Sequence, residues 1–490
     1  MMLLSRLDNV SRPALLLVVS RAIGSASSFA VPMVLARTLD LSDFGTYKQV
    51  FLIFATLFGL AQLGMAESLY YFVPRNAAGA GRHVCNSLIV LALAGLGCLA
   101  VLFATRESIA AWMSNPELAE YLVPLGFFVT FMLMSAVFEI VLVSRRRHVA
   151  AAWTYGVSDV VRTVALVAPA LLLGSVYGVM IGAVVFAGLR VIAMLVALWR
   201  EFGRDFRVDL SLWRLQLAYA LPFALAVGVE VLQIYFHQYF VASRFDAATF
   251  AIYAVGCLQI PLLDLITSSI GNVMMVKMGE DEGKGDRRAA LTLWHDSVIR
   301  QALLLFPLMV ILIVAAHEII VVLYTSAFLA SVPIFMLWSL TIFPAVFAVD
   351  PVLRVYAQTR FLLYMNIVRV VLVAALIGWC LSAFGLYGAV LITLLSSCAV
   401  KGMGLVRIAR LMHVRVVDVL PWRSLALIAL GALVAGWPAY WMLRHIAMPA
   451  VVGMFAASAL YGTTYIALCV AYVRLGEPQM GRLKPAPTGV

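Results

Sequence analysis

Ionisable side chains sit inside stretches that are otherwise almost wholly apolar, and they carry the chemistry this chain offers. The basic members are Arg21, Arg162, Arg190, Arg300, Arg369 and Lys401; the acidic members are Glu67, Glu139, Asp159, Glu230, Asp264 and Asp350. A guanidinium forms paired hydrogen bonds to phosphate oxygens and stays charged at any physiological pH. A carboxylate held at low dielectric takes up protons more readily and can hold Na⁺, and an imidazole such as His237 titrates near neutrality. The pattern therefore suits recognition of an anionic headgroup and coupling to H⁺ or Na⁺. The competing account is mutual pairing, because the two signs nearly balance. A charge at membrane depth costs at least a few kcal/mol, so each one must face protein or water.

Individual positions sharpen the choice. Arg21, Ser25, Ser28 and Pro32 recur on one helical stripe, so Arg21 either holds a headgroup or pairs with Glu67. Asp159 and Arg162 stand at i, i+3 and can pair with each other. Arg369 has Asn366 at its i−3 position and is freer to meet phosphate. Arg190 and Lys401 either join this cationic set or extend towards the membrane surface. Glu67, Glu230, His237 and Asp264 form the candidate coupling set, with hydrogen-bonded helix packing as the alternative for each. Tyr70 and Tyr71, next to Glu67, suit either sugar stacking or the membrane interface, whereas Trp112, Tyr121, Trp199 and Trp213 read as an interfacial belt.

The elements that must position these groups are membrane helices. Hydrophobic residues make up 64% of 490 residues and charged ones 12%, far from the soluble norm of roughly 25% charged. About fourteen apolar runs have the roughly 20 residues needed to cross a bilayer, and without period-2 alternation they are helices. The expected class is an all-α polytopic membrane protein. The loops are too short for a soluble catalytic domain, and prolines 32, 222, 261 and 344 are candidate kinks. The six cysteines show no paired spacing, and no HExxH, CxxC, P-loop or GxGxxG stands in a plausible setting. No metal, cofactor or ATP drive is expected.

With the N-terminus inside, one set of loops holds only Arg37, Lys48, Arg106, Arg244 and Arg444, while most other Lys and Arg residues fall on the opposite side. This bias places both termini in the cytoplasm. The net charge of +11 thus records orientation and contact with anionic lipid, and argues against nucleic acid.

The chain also repeats itself. Asp40, Phe44 and Tyr47 align at one offset with Asp246, Phe250 and Tyr253. Asp159-Val-Val-Arg162 matches Asn366-Ile-Val-Arg369, Tyr177-Gly178 matches Tyr387-Gly388, and Arg190 falls near Lys401. Six spans per copy preserve orientation, which makes these parallel repeats. The expected organisation is a six-helix lobe over 1–207, a second over 208–412, and two further helices with a short tail over 413–490.

Leu35-Ala-Arg-Thr-Leu39, followed by Asp43-Phe-Gly-Thr-Tyr47, and later Phe384-Gly-Leu-Tyr-Gly-Ala-Val390 resemble the signatures of the bacterial polysaccharide flippases. These belong to the multidrug, oligosaccharidyl-lipid and polysaccharide exporter superfamily. The resemblance implies a non-enzymatic flippase in the bacterial inner membrane that moves a polyprenyl-diphosphate-linked oligosaccharide outward by alternating access. It implies a polysaccharide polymerase and other export components as partners, and a central site where Arg21, Arg162, Arg369, Arg190 and Lys401 meet the diphosphate. The rivals are a multidrug or lipid II exporter of the same fold, a membrane glycan polymerase or ligase, and a non-transporting export scaffold.

Overall fold

The computed structural model describes residues 24, 29–76, 79–283 and 287–480. Arg21, Ser25 and Ser28 lie outside the described residues, as does most of the first expected span. Among the described residues the chain is helical without strands, as expected. In order the helices are α1 (Phe29–Thr38), α2 (Leu41–Ala61), α3 (Met65–Arg75), α4 (Ala80–Trp112), α5 (Leu118–Ser144), α6 (His148–Leu173), α7 (Val176–Phe202) and α8 (Leu210–Ala242). They continue with α9 (Ala247–Gly256), α10 (Pro261–Gly283), α11 (Arg287–Val314) and α12 (Ala316–Tyr324), then the short α13 (Val332–Ser339), α14 (Ile342–Ala345) and α15 (Val349–Val355). Long helices close the chain: α16 (Thr359–Phe384), α17 (Leu386–Met412), α18 (Trp422–His445) and α19 (Ala450–Met480). Among the described residues twelve helical segments, the kinked run Ser326–Val355 counted as one, are long and apolar enough to cross a membrane, or up to 13 if α9 and α10 form one span bent by 41°. Every expected span after the first has its counterpart here. Large apolar side chains such as Leu172, Ile192, Val371 and Trp437 point outward along these helices, as a bilayer requires and water would penalise.

Three expected single spans are broken. Leu63 and Gly64 both adopt left-handed backbone and split α2 from α3. A Cβ at Gly64 would also approach the Ala220 carbonyl oxygen to 2.7 Å, so glycine meets both demands at this break. The second break precedes Pro261, which has no N–H for a helical ladder. In the third, the run 328–352 is spread over a 3-10 turn and α13–α15.

The described residues divide into two compact units at Ala254 and Val255. α8, the first span after the expected lobe boundary at 207, packs on α2 and α3 inside the first unit. In that unit α5 packs along α4 and α7. A buried network ties α2 to the α4–α5 turn, where Asn115 donates to Thr46 and Gln49 at 2.8 and 2.7 Å. In the second unit α11 is central. Trp294 Nε1 donates to the Val419 carbonyl at 2.7 Å, and Tyr465 of α19 donates to the Leu303 carbonyl at 3.2 Å. The two C-terminal helices α18 and α19 thus pack on α11.

The repeat is visible in local geometry. Asp40 Oδ1 caps α2 by accepting from the Asp43 amide at 2.7 Å, and Asp246 Oδ1 caps α9 by accepting from the Thr249 amide at 3.3 Å. Phe44, Tyr47, Phe250 and Tyr253 are all buried, and a Cβ on Gly45 would overlap the Ala247 carbonyl, so the two motifs pack on each other. Gly178 lets α7 cross α6 against the Pro169 carbonyl, and Gly388 lets α17 cross α16 against the Cys380 carbonyl. The Tyr-Gly pairs therefore mark the same tight hairpin in both copies. Gly388→Val forces a side chain into that carbonyl, at an expected cost of about 2 kcal/mol or more. Thermal unfolding of the purified protein is expected at a clearly lower temperature than for Gly402→Ala, where an added Cβ meets nothing within 4 Å.

Candidate functional site

Two polar clusters lie within apolar helices, one in each unit. In the first, the buried Glu139 of α5 forms an ion pair with Arg190 of α7, and Arg190 Nη1 also donates to Ser158 Oγ of α6 at 2.7 Å. One turn further on α6, Arg162 pairs with Asp159 at 3.1 Å. These groups are closely held: the Glu139 side chain is 4% exposed and that of Arg190 16%. Gly24 lies against the Asp159 carboxylate, so a side chain there would collide with it.

In the second unit Lys401 of α17 pairs with Asp350 of α15 at 2.6 Å. This bridge joins residues 51 apart in the chain, the same separation as Glu139 and Arg190. Glu139–Arg190 and Asp350–Lys401 are thus one bridge made twice. The copies differ on the neighbouring helix. Where α6 carries Asp159 with Arg162, α16 carries Asn366 with Arg369. Arg369 is half-buried and within electrostatic reach of Asp350, whose carboxylate is already bonded to Lys401. Among the described residues the first cluster has two carboxylates for two cations, and the second has one carboxylate for two. It is also the more open, with the Asp350 side chain 45% exposed. An excess of positive charge on an accessible cluster is suited to a multiply charged anion.

The coupling candidates are not drawn into one group. Glu67 stands on α3 with its Oε2 shielded and accepting no hydrogen bond from the described residues. Glu230 is exposed on α8, and two turns away His237 is buried, its Nδ1 2.7 Å from the Tyr253 hydroxyl. Asp264, near the start of α10 in the other unit, is exposed. Among the described residues no group of three His, Cys, Asp or Glu side chains could hold a metal ion.

Sequence reasoning did not find the partners of Arg190 and Lys401, although the equal spacing was there to be read. It also missed a polar seam between α3, α4 and α8. Gln216 Nε2 donates to Ser87 Oγ at 2.7 Å, to the His83 carbonyl at 3.1 Å and to Ser68 Oγ at 3.2 Å. Asn86 and Asp209 exchange two further bonds, and Arg82 pairs with Asp205 and Asp209. The Ser211 hydroxyl, which donates to Asp209, together with Arg82 holds that carboxyl below the usual carboxylate range.

A family model described as polysaccharide biosynthesis protein matches residues 34–333. The chain belongs to that family. Among curated proteins none matches the chain significantly. Solved structures show what fold this polysaccharide biosynthesis protein shares. The lipid II flippase MurJ in an inward closed conformation aligns at TM-score 0.71 and 15% identity, covering 94% of this chain and 99% of its own. An inward-facing multidrug resistance MATE family transporter of the MOP superfamily aligns at 0.60 and 14%, covering 81% and 98%. A MOP superfamily transporter from Pyrococcus furiosus, noted for reverse polarity of its binding pocket, aligns at 0.53 and 15%, covering 82% and 95%. At these identities the likeness is one of fold. Family and fold together make this a polysaccharide biosynthesis protein with a fold like those of MurJ and the MATE transporters.

The buried bridge makes a stability prediction. Glu139→Gln or Arg190→Gln alone strands one buried charge and is expected to cost about 3–5 kcal/mol. The double variant Glu139→Gln/Arg190→Gln removes both charges, so its thermal unfolding in detergent is expected to lie above that of either single variant.

Proposed function

We propose that this protein moves a polyprenyl-diphosphate-linked oligosaccharide from the inner to the outer leaflet of the bacterial cytoplasmic membrane by alternating access. The observation that carries the reading is the uncompensated cation of the second cluster. A diphosphate needs paired donors with fixed positive charge, and Arg369 beside the Lys401–Asp350 bridge supplies them. Arg21, Arg162 and Arg190 form the first copy's own cationic set, Arg162 and Arg190 exchanging part of their carboxylate pairing for phosphate. The lipid tail stays in the bilayer while the charged head crosses. Glu67, Glu230, His237 and Asp264 supply exchange with H⁺ or Na⁺. Both termini face the cytoplasm, and a polysaccharide polymerase takes up the product.

Two features support this reading over others. Family membership ties the chain to polysaccharide biosynthesis, and a cationic excess disfavours the cationic substrates of a drug exporter. Lipid II is itself a diphosphate-linked glycan, so the second cluster would serve it equally, and the MurJ-like fold keeps that substrate as the second reading. Loss of one charge-assisted contact to phosphate is worth about 1.5–3 kcal/mol, or tenfold and more. At normal protein levels, Arg369→Ala is expected to cut export of the lipid-linked glycan about tenfold, and Arg369→Lys to keep part of it. Near-normal export by Arg369→Ala, measured as surface glycan against accumulated intracellular precursor, contradicts the headgroup role.

A further inference from the structure

We infer that α3 and α8 together present a sugar-binding platform made of Glu67, Tyr70, Tyr71 and Tyr219. The inference rests on the transport reading above and adds a second point of substrate contact. Two contacts set the register of these helices: Gly64 against the Ala220 carbonyl, and Gln216 Nε2 donating to Ser68 Oγ. In that register the Tyr71 and Tyr219 rings stack with centroids 4.7 Å apart and planes 28° apart. The Arg75 guanidinium lies 3.7 Å from the Tyr71 ring centroid, and Phe72 meets Tyr219 edge-on at 5.5 Å. The rings are locked in place, yet Tyr70, Tyr71 and Tyr219 remain 46%, 37% and 48% exposed. One helical turn before Tyr70 and Tyr71, on the same face, stands Glu67, whose shielded Oε2 has no hydrogen-bond partner among the described residues.

The electrostatics narrow the ligand. An aromatic group with a carboxylate commonly recognises a cation. Here Arg75 already holds a positive charge against the Tyr71 ring, which repels an ammonium. Glu67 in turn repels phosphate. With Tyr219 and Arg75 already lying on the Tyr71 ring, what remains attractive is a neutral ligand with an apolar face to lie on Tyr219 and Tyr70 and hydroxyls to donate to a carboxylate. A pyranose has both. Interfacial belt tyrosines present single polar tips to headgroups and have no use for an unbonded carboxylate among them. By the basic-residue count the platform lies towards the cytoplasmic end of α3, where a lipid-linked glycan is loaded.

The test compares two probes on the full-length protein in nanodiscs: undecaprenyl diphosphate, and undecaprenyl diphosphate bearing one N-acetylglucosamine. Wild-type protein is expected to bind the glycosylated probe more tightly. Tyr71→Ala and Tyr219→Ala are expected to remove that preference, about three- to tenfold, while leaving affinity for the bare carrier unchanged. Tyr71→Phe keeps the stack and is expected to keep the preference. A preference unaltered by Tyr71→Ala and Tyr219→Ala, or an equal loss for both probes, overturns the platform and leaves the transport reading standing. Failure of the wild type to bind either probe overturns both.

Discussion

A bilayer offers a charged side chain no solvent, and the architecture of this protein depends on that constraint. Each deep cation must find a carboxylate, a polar neighbour or a ligand. The chain meets the demand with one bridge built twice, Glu139 with Arg190 and Asp350 with Lys401, each joining residues 51 apart. Desolvation makes such bridges expensive to break and weakly stabilising to make, so they act mainly to specify which helices stand together. Duplication then makes any difference between copies visible. The replacement of Asp159 by Asn366 in the second copy leaves Arg369 in excess, and the proposed substrate site grows from that one change.

The same constraint shapes the backbone. Irregular segments at membrane depth are tolerated only where other groups satisfy them. The break at Leu63 and Gly64 is held by α8, and below it the Gln216 seam satisfies hydroxyls, an amide and an imidazole that lipid could not. The break also ends α2 before Glu67 and its tyrosines, which α3 then carries against α8. Positioning of polar groups and interruption of helices are one device.

How much of this could be read from the sequence follows from the range of each interaction. Asp40 and Asp246 were legible because a cap acts over three residues, and Gly178 and Gly388 because a tight hairpin leaves a local signature. The orientation bias was legible because it is a sum over loops. The split of α2 from α3 was not, since glycine is common within membrane helices and Leu63 has no turn-forming character. Gln216 was hidden because its partners lie on α3 and α4, far away in the chain. The partner of Arg190 was equally distant, although the matching separation in the second copy would have revealed it. For Arg369, the Asn366 at its i−3 position was a local clue, and it pointed to the excess charge that the second cluster contains.

The central claim is that one uncompensated cation in the second copy draws the diphosphate across. It is tested most directly by Asn366→Asp, which restores the carboxylate of the first copy and neutralises Arg369 without deleting any helix contact. Translocation of a fluorescent polyprenyl-diphosphate glycolipid by the purified protein in liposomes is the measurement. The account predicts that Asn366→Asp lowers the rate about tenfold at unchanged thermal stability, as removal of one charge-assisted contact would. A rate equal to that of the wild type would contradict it.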